Sequence, residues 1–318
     1  MAKFYFDEHQ HKGRAYVNAL EAGGHWRSSR RVGADFIFID HDIGPKGIGL
    51  RRGIEFAHQN DVPVFIYPHS ARPNVMSDTH KPWPHTRALF TISEGHKEVL
   101  QALDYPCPIE VTGWTYSEIR PFKQVIPGEK INVLFAPIHP NANGFLGEED
   151  KQLNRQVYCL LSNMPEVNLT VRHIHSLTQN GITRNYRIND RTTFIEGHPD
   201  GSTKEIENAD VIVGAYTLAY ITVALGKPLV MMGEQIRPHV GNTKGLIFYS
   251  NNWEKYRDIM KYPFEIEDAL LSYDAALELL IAAMSKSRAV EDWKRRFIGK
   301  SFDGSRFVKL VNEYLEKG

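Results

Sequence analysis

Short apolar runs alternate with segments of helical periodicity along most of the chain. The clearest case lies between residues 210 and 232, where an apolar run at 211–213 is followed by Gly214, a helix predicted over 216–225 and a second apolar run at 229–232. Apolar runs of this length, bounded by turn residues, are typical of strands buried on both faces. A strand, a tight turn, a helix and a second strand in this order predict a βαβ unit.

The helix of this unit has defined ends and a predicted buried face. Helical spacing places three apolar residues on one side: Leu218, Ile221 and Leu225. Gly226 ends the helix, and Pro228 keeps it from resuming. Because the helix begins just beyond the carboxyl end of a strand, its first N–H groups and its dipole favour an anion. The backbone at Tyr216 and Thr217 is therefore an expected anion-binding site.

The same alternation organises the rest of the chain into two halves. In the first half we predict strands at 3–6, 34–39, 62–67, 88–92 and 109–112, and helices at 15–22, 51–59 and 94–103. In the second half we predict strands at 131–136, 167–172, 192–196 and 245–249, and helices at 148–162 and 204–208, with the remainder helical and a last helix at 306–315. The segment 113–130 contains Pro121 and Pro127 but no apolar period, so we expect it to link the halves.

This order predicts an α/β protein of two Rossmann-like, doubly wound domains that face a cleft. The expected bounds are 1–125 for the first domain, 126–300 for the second, and 301–318 for a C-terminal helix that packs back on the first domain. A chain of 318 residues is long enough for two such cores.

Composition narrows the class of protein. The chain is 42% hydrophobic and 24% charged, and 38 Lys and Arg balance 38 Asp and Glu, so no global field attracts nucleic acid or membrane. Cys107 and Cys159 have no CxxC partner, which excludes a thiolate zinc cluster and a disulfide scaffold. Without a signal peptide or an apolar run of membrane-spanning length, we expect a cytoplasmic protein with no membrane insertion, in the host cytoplasm if the source is viral.

Three groups of residues resemble glycosyltransferases of the two-domain GT-B type. They are Ile-Ser-Glu-Gly-His-Lys at 92–97 with Val-Thr-Gly-Trp at 111–114, Val-Leu-Phe-Ala-Pro at 133–137, and Ala-Asp-Val-Ile-Val-Gly at 209–214 with Ala-Leu-Gly-Lys-Pro at 224–228. The resemblance implies a hexosyl- or pentosyltransferase that needs neither metal nor cofactor. Its second half would bind a nucleotide-sugar co-substrate, expected to be UDP-linked, and its first half would bind the acceptor.

Two other classes of enzyme share these pieces: CDP-glycerol glycerophosphotransferases and UDP-N-acetylglucosamine 2-epimerases. A polyol-phosphate transferase and a nucleotide-sugar epimerase therefore stay open as alternatives, as does a nucleotide-sugar-binding protein without catalysis. One departure bears on the last. Many GT-B members place a carboxylate six residues after the glycine at position 214, where it holds the donor ribose, and this chain has Tyr220 there. Glu234, beyond the next strand, is a candidate substitute.

Polar residues follow the predicted strands of the second half, where doubly wound sheets bind ligands. The candidate donor-binding residues are His139, Asn141, Asn143, Arg172, His173, His175, His198, the turn from Gly214 through Tyr216 to Thr217, and Glu234. Arg172 or His139, with the helix N–H groups, would neutralise the leaving diphosphate without a metal. Gly197-His198 resembles the loop that contacts the base in the family. A plain surface or loop role is the alternative for each histidine.

Transfer to a hydroxyl requires a base within hydrogen-bond reach of it. Asp40-His41 directly follows an apolar strand, and a carboxylate beside a histidine orients the ring and raises its basicity, so this pair is the first candidate. His9 is the second, since the family often places a histidine after the first strand. Two alternatives remain for Asp40-His41-Asp42: a capping turn, or the Asp-X-Asp metal signature of single-Rossmann glycosyltransferases.

Basic residues crowd into positions 25–52 of the first half: Arg27, Arg30, Arg31, Lys46, Arg51 and Arg52. Arg30, Arg31, Lys46, Arg51 and His69 are the candidate acceptor-binding residues. A local basic rim in a neutral protein suggests a polyanionic acceptor. The chain length is similar to that of bacteriophage enzymes that glycosylate hydroxymethylated DNA bases. Such enzymes must flip the target base out of the stack, and in this chain Trp26 or Trp83 would stack on it or fill the gap. A teichoic-acid-like polymer and a solvated helix face are the alternatives.

Overall fold

The structure is a computed structural model. It describes residues 1–6, 13–40, 56–57, 59–68, 71, 85–102, 107–138, 147–173, 177–182, 192–197, 203–232, 258–266 and 272–317. The chain divides into two compact units. The first takes the described residues of Met1–Ser117, Pro238–Met260 and Arg295–Gly318, and the second those of Glu118–Arg237 and Lys261–Lys294. The first division falls within the segment 113–130 that we expected to be the linker.

The first unit is built on a six-stranded parallel sheet. Its strands are β1 (Lys3–Phe6), β2 (Trp26–Ser28), β3 (Phe36–Asp40), β4 (Val64–Tyr67), β5 (Thr86–Thr91) and β6 (Ile109–Val111). Their order in the sheet is β2-β1-β3-β4-β5-β6. Among the described residues between these strands lie the helices α1 (Arg14–Ala22) and α2 (Glu94–Ala102), and most of the helix predicted over 51–59 lies outside the described residues. All the strands predicted in this half are confirmed. The prediction missed β2, which contains no apolar run.

Aromatic residues fill the core on one face of this sheet. Phe4, Phe36, Phe38 and Phe65 are fully buried, and the rings of Phe38 and Phe65 stack with centroids 5.2 Å apart. Alternate residues of a strand point to one face, which explains the spacing of two within each strand. The C-terminal helix then packs on the same face, because its Phe307 ring lies 5.6 Å from that of Phe38. The C-terminal helix therefore covers the first sheet, as predicted.

The second unit contains another six-stranded parallel sheet. Its strands are β7 (Ile131–Ala136), β8 (Val167–His173), β9 (Thr192–Glu196), β10 (Val211–Gly214), β11 (Leu229–Met232) and β12 (Glu265–Ile266), in the order β12-β11-β10-β7-β8-β9. Residues 245–249, predicted as a strand, lie outside the described residues. The edge position beside β11 is held by β12, in a stretch predicted to be helical. A strand of two residues is too short to leave a pattern in the sequence.

The remaining helices follow in chain order. They are α3 (Glu148–Asn163), α4 (Thr203–Asn208), α5 (Tyr216–Ala224), α6 (Tyr273–Met284), α7 (Arg288–Phe297) and α8 (Gly304–Glu316), the C-terminal helix. The βαβ unit β10–α5–β11 is confirmed. The helix α5 ends before Gly226, as predicted. This glycine has φ +71°, and a Cβ there would lie 2.0 Å from the Pro121 carbonyl oxygen. The fold class is therefore α/β with two doubly wound parallel sheets, as predicted.

The predicted buried face of α5 is correct only at Leu225, which is buried just after the helix end. Leu218 and Ile221 are only half-buried, whereas Ala219, Tyr220 and Val223 are buried. The error has a physical reason, because α5 is apolar around its whole circumference. Such a helix is enclosed by the protein on most sides, so a single stripe cannot be chosen from the sequence.

Candidate functional site

The strand order of the second sheet changes direction between β7 and β10. From β7 the chain proceeds outward through β8 to β9, and from β10 it proceeds the other way through β11 to β12. The two strands pair in parallel, with Gly214 opposite Ala136 at their carboxyl ends. Ligands of doubly wound sheets bind beyond the strand ends at such a reversal. The topology therefore identifies the exits of β7 and β10 as the candidate nucleotide site.

The exit of β10 is a tight connection to α5. A Cβ on Gly214 would lie 3.3 Å from both Ala136 Cβ and Leu218 Cδ2, so a larger residue would press on β7 and on the helix. Ala215 is extended and offers no side-chain cap to α5. The N–H groups of Tyr216 and Thr217 stand in the first turn, where a helix has no internal acceptors for them.

Electrostatics favours α5 over its neighbours as the anion-binding helix. Its first turn contains no acidic residue, whereas α4 carries Glu205 there and α3 begins with Glu-Glu-Asp at 148–150. Carboxylates in a first turn already neutralise the positive end of the helix dipole and repel an incoming anion. The predicted anion site at Tyr216 and Thr217 therefore has the best electrostatic setting among these three helices.

The exit of β7 is held by a side chain that the sequence analysis missed. Asn154, on α3, is fully buried. Its Oδ1 accepts a hydrogen bond from the Ile138 N–H (2.8 Å), and its Nδ2 donates to the carbonyl oxygens of Ile138 (2.7 Å) and Asn180 (2.8 Å). An asparagine inside a predicted amphipathic helix gives no signal of such contacts, because both acceptors belong to distant segments.

Arg172 lies against Gly197, the residue that follows β9. It is 3% exposed, and its guanidinium packs so closely on Gly197 that a Cβ there would lie 2.4 Å from Arg172 Cζ. The Gly197 N–H donates to the His173 carbonyl oxygen (2.8 Å), which fixes the loop on β8. Burial lowers the pKa of Arg172 from its usual value, and the charge of Glu205 opposes that shift. The structure thus brings Arg172 together with Gly197, the first residue of the predicted base-contacting pair Gly197-His198, and its contact with a diphosphate stays a prediction.

Tyr220 is not at the edge of this site. It is fully buried, its ring lies 5.2 Å from that of Trp293, and Trp293 lies 5.1 Å from Tyr262. An aromatic cluster on α5 and α7 therefore occupies the position where the resemblance led us to expect a carboxylate. A tyrosine enclosed in this way packs the helix and does not hold a ribose.

Several predicted site residues lie outside the described residues. These are His9, His41, Lys46, Arg51, His69, His139, Asn141, Asn143, His175, His198 and Glu234. For Asp40 and Tyr216 the structure describes the backbone position alone. Asp40 is the last residue of β3. The first sheet reverses between β1 and β3, so the segments carrying His9 and Asp40-His41 leave the sheet at neighbouring strand ends.

A buried histidine fixes another strand exit in the first sheet. The Nε2–H of His96 donates to the Ala71 carbonyl oxygen (3.0 Å), so in the neutral ring Nδ1 accepts from the Ser93 hydroxyl (2.5 Å). Burial lowers the pKa of His96 to about 3. The Tyr116 hydroxyl donates to the Pro68 carbonyl oxygen (3.4 Å). The main chain is therefore held on both sides of positions 69–70.

The edge strand β2 carries the described part of the basic cluster. Trp26 is 51% exposed, and Arg27 and Arg30 are also exposed. Arg31 is half-buried, with its guanidinium 5.4 Å from the centre of the Tyr5 ring. Because β2 is a strand, the helix-face interpretation is wrong for residues 26–28.

The described ranges contain neither a candidate metal site nor a candidate membrane span. No group of three or more His, Cys, Asp or Glu side chains in them is placed to hold a metal ion. No helix in the same ranges combines the length and apolar character needed to cross a membrane.

No family model matches the sequence, and no curated protein matches it either. Solved structures are similar in fold over almost the whole chain. Staphylococcus aureus MnaA with UDP has a TM-score of 0.59 at 12% identity, covering 99% of this chain and 97% of that one. The spinosyn rhamnosyltransferase SpnG with thymidine diphosphate has a TM-score of 0.58 at 11% identity, covering 98% and 100%. A UDP-N-acetylglucosamine 2-epimerase described as putative, from Listeria monocytogenes, has a TM-score of 0.51 at 11% identity, covering 96% and 80%. The architecture is that of GT-B glycosyltransferases.

Proposed function

We propose that the protein is a glycosyltransferase that moves a sugar from a nucleotide-sugar donor to an acceptor hydroxyl. The observation that carries the proposal is the exit of β10, where α5 begins at the sheet reversal with no side-chain cap and no acidic residue in its first turn. Backbone N–H groups in this setting bind phosphate oxygens. Structures of the same fold hold UDP and thymidine diphosphate.

In the proposed reaction the donor diphosphate lies at the start of α5. The N–H groups of Tyr216 and Thr217 stabilise the negative charge that develops as the bond between sugar and diphosphate breaks. His139 and Arg172 add positive charge, and Asn141, His198 and Glu234 are the remaining donor contacts. In this arrangement the backbone N–H groups and the basic side chains of the chain itself stabilise the charge of the leaving diphosphate.

The acceptor hydroxyl needs a base, and we assign that role to His41, oriented by Asp40, with His9 as the second choice. Replacing His41 or Asp40 by alanine is expected to abolish transfer while leaving donor binding intact. A variant of the pair that retains wild-type transfer would move the base elsewhere, and His9→Ala would then be the next variant to assay.

The finer part of the proposal concerns the acceptor. Arg27 on β2, Arg30 just after it and Trp26 are all exposed, which supports a polyanionic acceptor with planar groups that can stack. A hydroxymethylated base in DNA is the specific case that we propose. Arg31, Lys46, Arg51 and His69 would complete the acceptor surface.

A nucleotide-sugar epimerase is the alternative that the same fold permits. An epimerase has no second substrate and would have no use for an exposed basic strand, so this strand favours transfer. Incubating UDP-N-acetylglucosamine alone separates the two, since an epimerase converts the donor without acceptor. A polyol-phosphate transferase would instead consume CDP-glycerol, and a binding protein would bind donor and release no nucleotide.

The first experiment is a thermal-shift panel of UDP-, TDP- and CDP-linked sugars in the presence of EDTA. A ligand that binds the native state alone raises the melting temperature, because it stabilises that state by RT ln(1 + L/Kd), where L is the free ligand concentration. We expect a rise with a UDP- or TDP-sugar. No rise with any of them would contradict the proposed function.

A further inference from the structure

Asn154 connects two segments that leave the same edge of the second sheet. One is the exit of β7, where Ile138 directly precedes His139 and the segment with Asn141. The other is the turn at 177–182, which follows β8. The three hydrogen bonds of one carboxamide reach both, across 16 residues of sequence to Ile138 and 26 to Asn180.

The contact with Ile138 has the form of a strand pairing. A β-ladder partner would accept from the N–H of a residue and donate to its carbonyl group, and the Asn154 carboxamide does both. It therefore holds the first residues after β7 in a defined course where no neighbouring strand does so. Ile138 is 2% exposed, which places its side chain in the core as a second anchor.

The turn at 177–182 is itself well fixed, so it can serve as a reference for the β7 exit. Leu177 and Ile182 are buried in the main core of the second unit, and the Ile182 N–H donates to the Leu177 carbonyl oxygen (2.9 Å). Gly181 has φ +81° and lies against Lys151 of α3, where a Cβ would be 2.6 Å from Lys151 Cβ. This turn is thus packed on the same helix that carries Asn154.

Core packing alone does not explain an asparagine at position 154. Burying a carboxamide costs free energy that its three hydrogen bonds offset, and a leucine of similar volume would avoid that cost but leave the main-chain groups of Ile138 and Asn180 without this partner. What leucine would not do is fix the backbone of the β7 exit. This exit lies at the sheet reversal, beside the start of α5.

We propose that Asn154 is a positioning residue of the nucleotide site, which fixes the main chain of the β7 exit at Ile138, close to the start of α5 where the donor diphosphate is proposed to bind. The proposal rests on the proposed function, because it assigns the exit of β7 to donor binding. Asn154 itself is buried and does not touch the donor. Its effect is expected in donor affinity, since a preorganised loop loses less freedom on binding.

The test compares Asn154→Leu with Val157→Ala by calorimetric titration with UDP. Val157 lies one turn further along α3, is 3% exposed and packs in the core, so V157A destabilises the same helix but removes none of the hydrogen bonds to the β7 exit. We expect N154L to raise the Kd for UDP about tenfold, the effect of one well-made buried hydrogen bond. V157A should leave the Kd within about twofold of wild type despite a lower melting temperature.

Asn154→Ser provides the second variant if N154L does not fold. A serine hydroxyl stays polar but is too short to reach Ile138 and Asn180 together, so it should weaken UDP binding in the same direction. Equal Kd values for wild type, N154L and N154S would overturn the positioning role and leave the proposed function intact. A parallel loss in V157A would also overturn it, by showing that helix stability alone matters. Wild-type protein that binds neither UDP nor thymidine diphosphate would instead contradict the donor site itself.

Discussion

The contact between Arg172 and Gly197 makes a prediction about a pair of residues. Gly197→Ala should destabilise the protein by about 1–3 kcal/mol, because the added Cβ meets the guanidinium and a packed site cannot easily yield. In an Arg172→Ala background the same change should cost little. Urea unfolding of the wild type, both single variants and the double variant measures the coupling.

Gly128→Ala is the matched control for this cycle, since a Cβ at Gly128 would meet nothing within 4 Å. It should lie close to wild type. Strictly additive costs for G197A and R172A would show that the guanidinium does not press on the loop after β9, and would remove the basis for joining Arg172 to that loop.

His96 makes a prediction about pH. Its pKa falls from an unfolded value near 6.5 to about 3 in the folded protein, chiefly through burial. Between these values the unfolded chain binds a proton that the folded chain does not, so stability is fully present above about pH 6.5 and decreases as pH falls toward 3. From pH 7 to pH 5 this residue should remove about 2 kcal/mol from the free energy of unfolding.

His96→Gln isolates that term, because glutamine can still donate to the Ala71 carbonyl oxygen but does not titrate. Urea unfolding at pH 7 and pH 5 should show a smaller loss for H96Q than for wild type. The same pH dependence in both proteins would contradict a neutral, buried imidazole at this position.

At the scale of the element, α5 is defined by what surrounds it. Tyr220 packs on Trp293 in a cluster closed by Tyr262, so the carboxylate that many GT-B glycosyltransferases have at this position cannot be introduced here. Tyr220→Glu should lower stability by several kcal/mol, because it buries a charge, and should not improve UDP affinity. Tyr220→Phe keeps the ring and should bind UDP like wild type. Thermal unfolding and UDP titration report both quantities, and tighter binding by Y220E would show that this position faces the donor.

The edge strand β2 makes a separate prediction. If it binds a polyanion, the double variant Arg27→Ala/Arg30→Ala should weaken binding to a hydroxymethylated DNA duplex. The slope of log Kd against log salt concentration should fall by about 2, because two phosphate contacts are lost. The control is Arg288→Ala on α7, a side chain that is 95% exposed in the second unit. Binding that is equally weakened by R288A would indicate a diffuse charge effect, and unchanged binding by the β2 variant would remove the polyanion surface.

At the scale of the whole molecule, the sequence predicts the elements that have a pattern. The apolar run at 229–232 was found at its observed bounds, because a strand buried on both faces must be apolar throughout. The strand at 131–136 was also found at its observed bounds, although its second residue, Asn132, is exposed. The short strands β2 and β12 were not predicted, since a few hydrogen-bonded residues at a sheet edge need no apolar side chains. The order of the strands follows from contacts between distant segments and could only be inferred through the resemblance to GT-B proteins.

In the candidate site, too, some features were predictable from the sequence and others were not. The start of α5 was predictable, because a glycine after a buried strand and an apolar helix are local features. Asn154 and His96 were not, since each acts through carbonyl oxygens far away in sequence. A polar residue in a helix reads as surface until its partners are known. The residues that position loops are therefore the ones that sequence reasoning misses.

The proposed glycosyltransferase function requires that the backbone at the start of α5 binds a diphosphate. The most direct measurement is an NMR titration of ¹⁵N-labelled protein with UDP in EDTA, following the amides of residues 214–218. The account predicts saturable shifts that are largest at Tyr216 and Thr217. UDP binding that leaves these amides unchanged, or no binding at all, would contradict it.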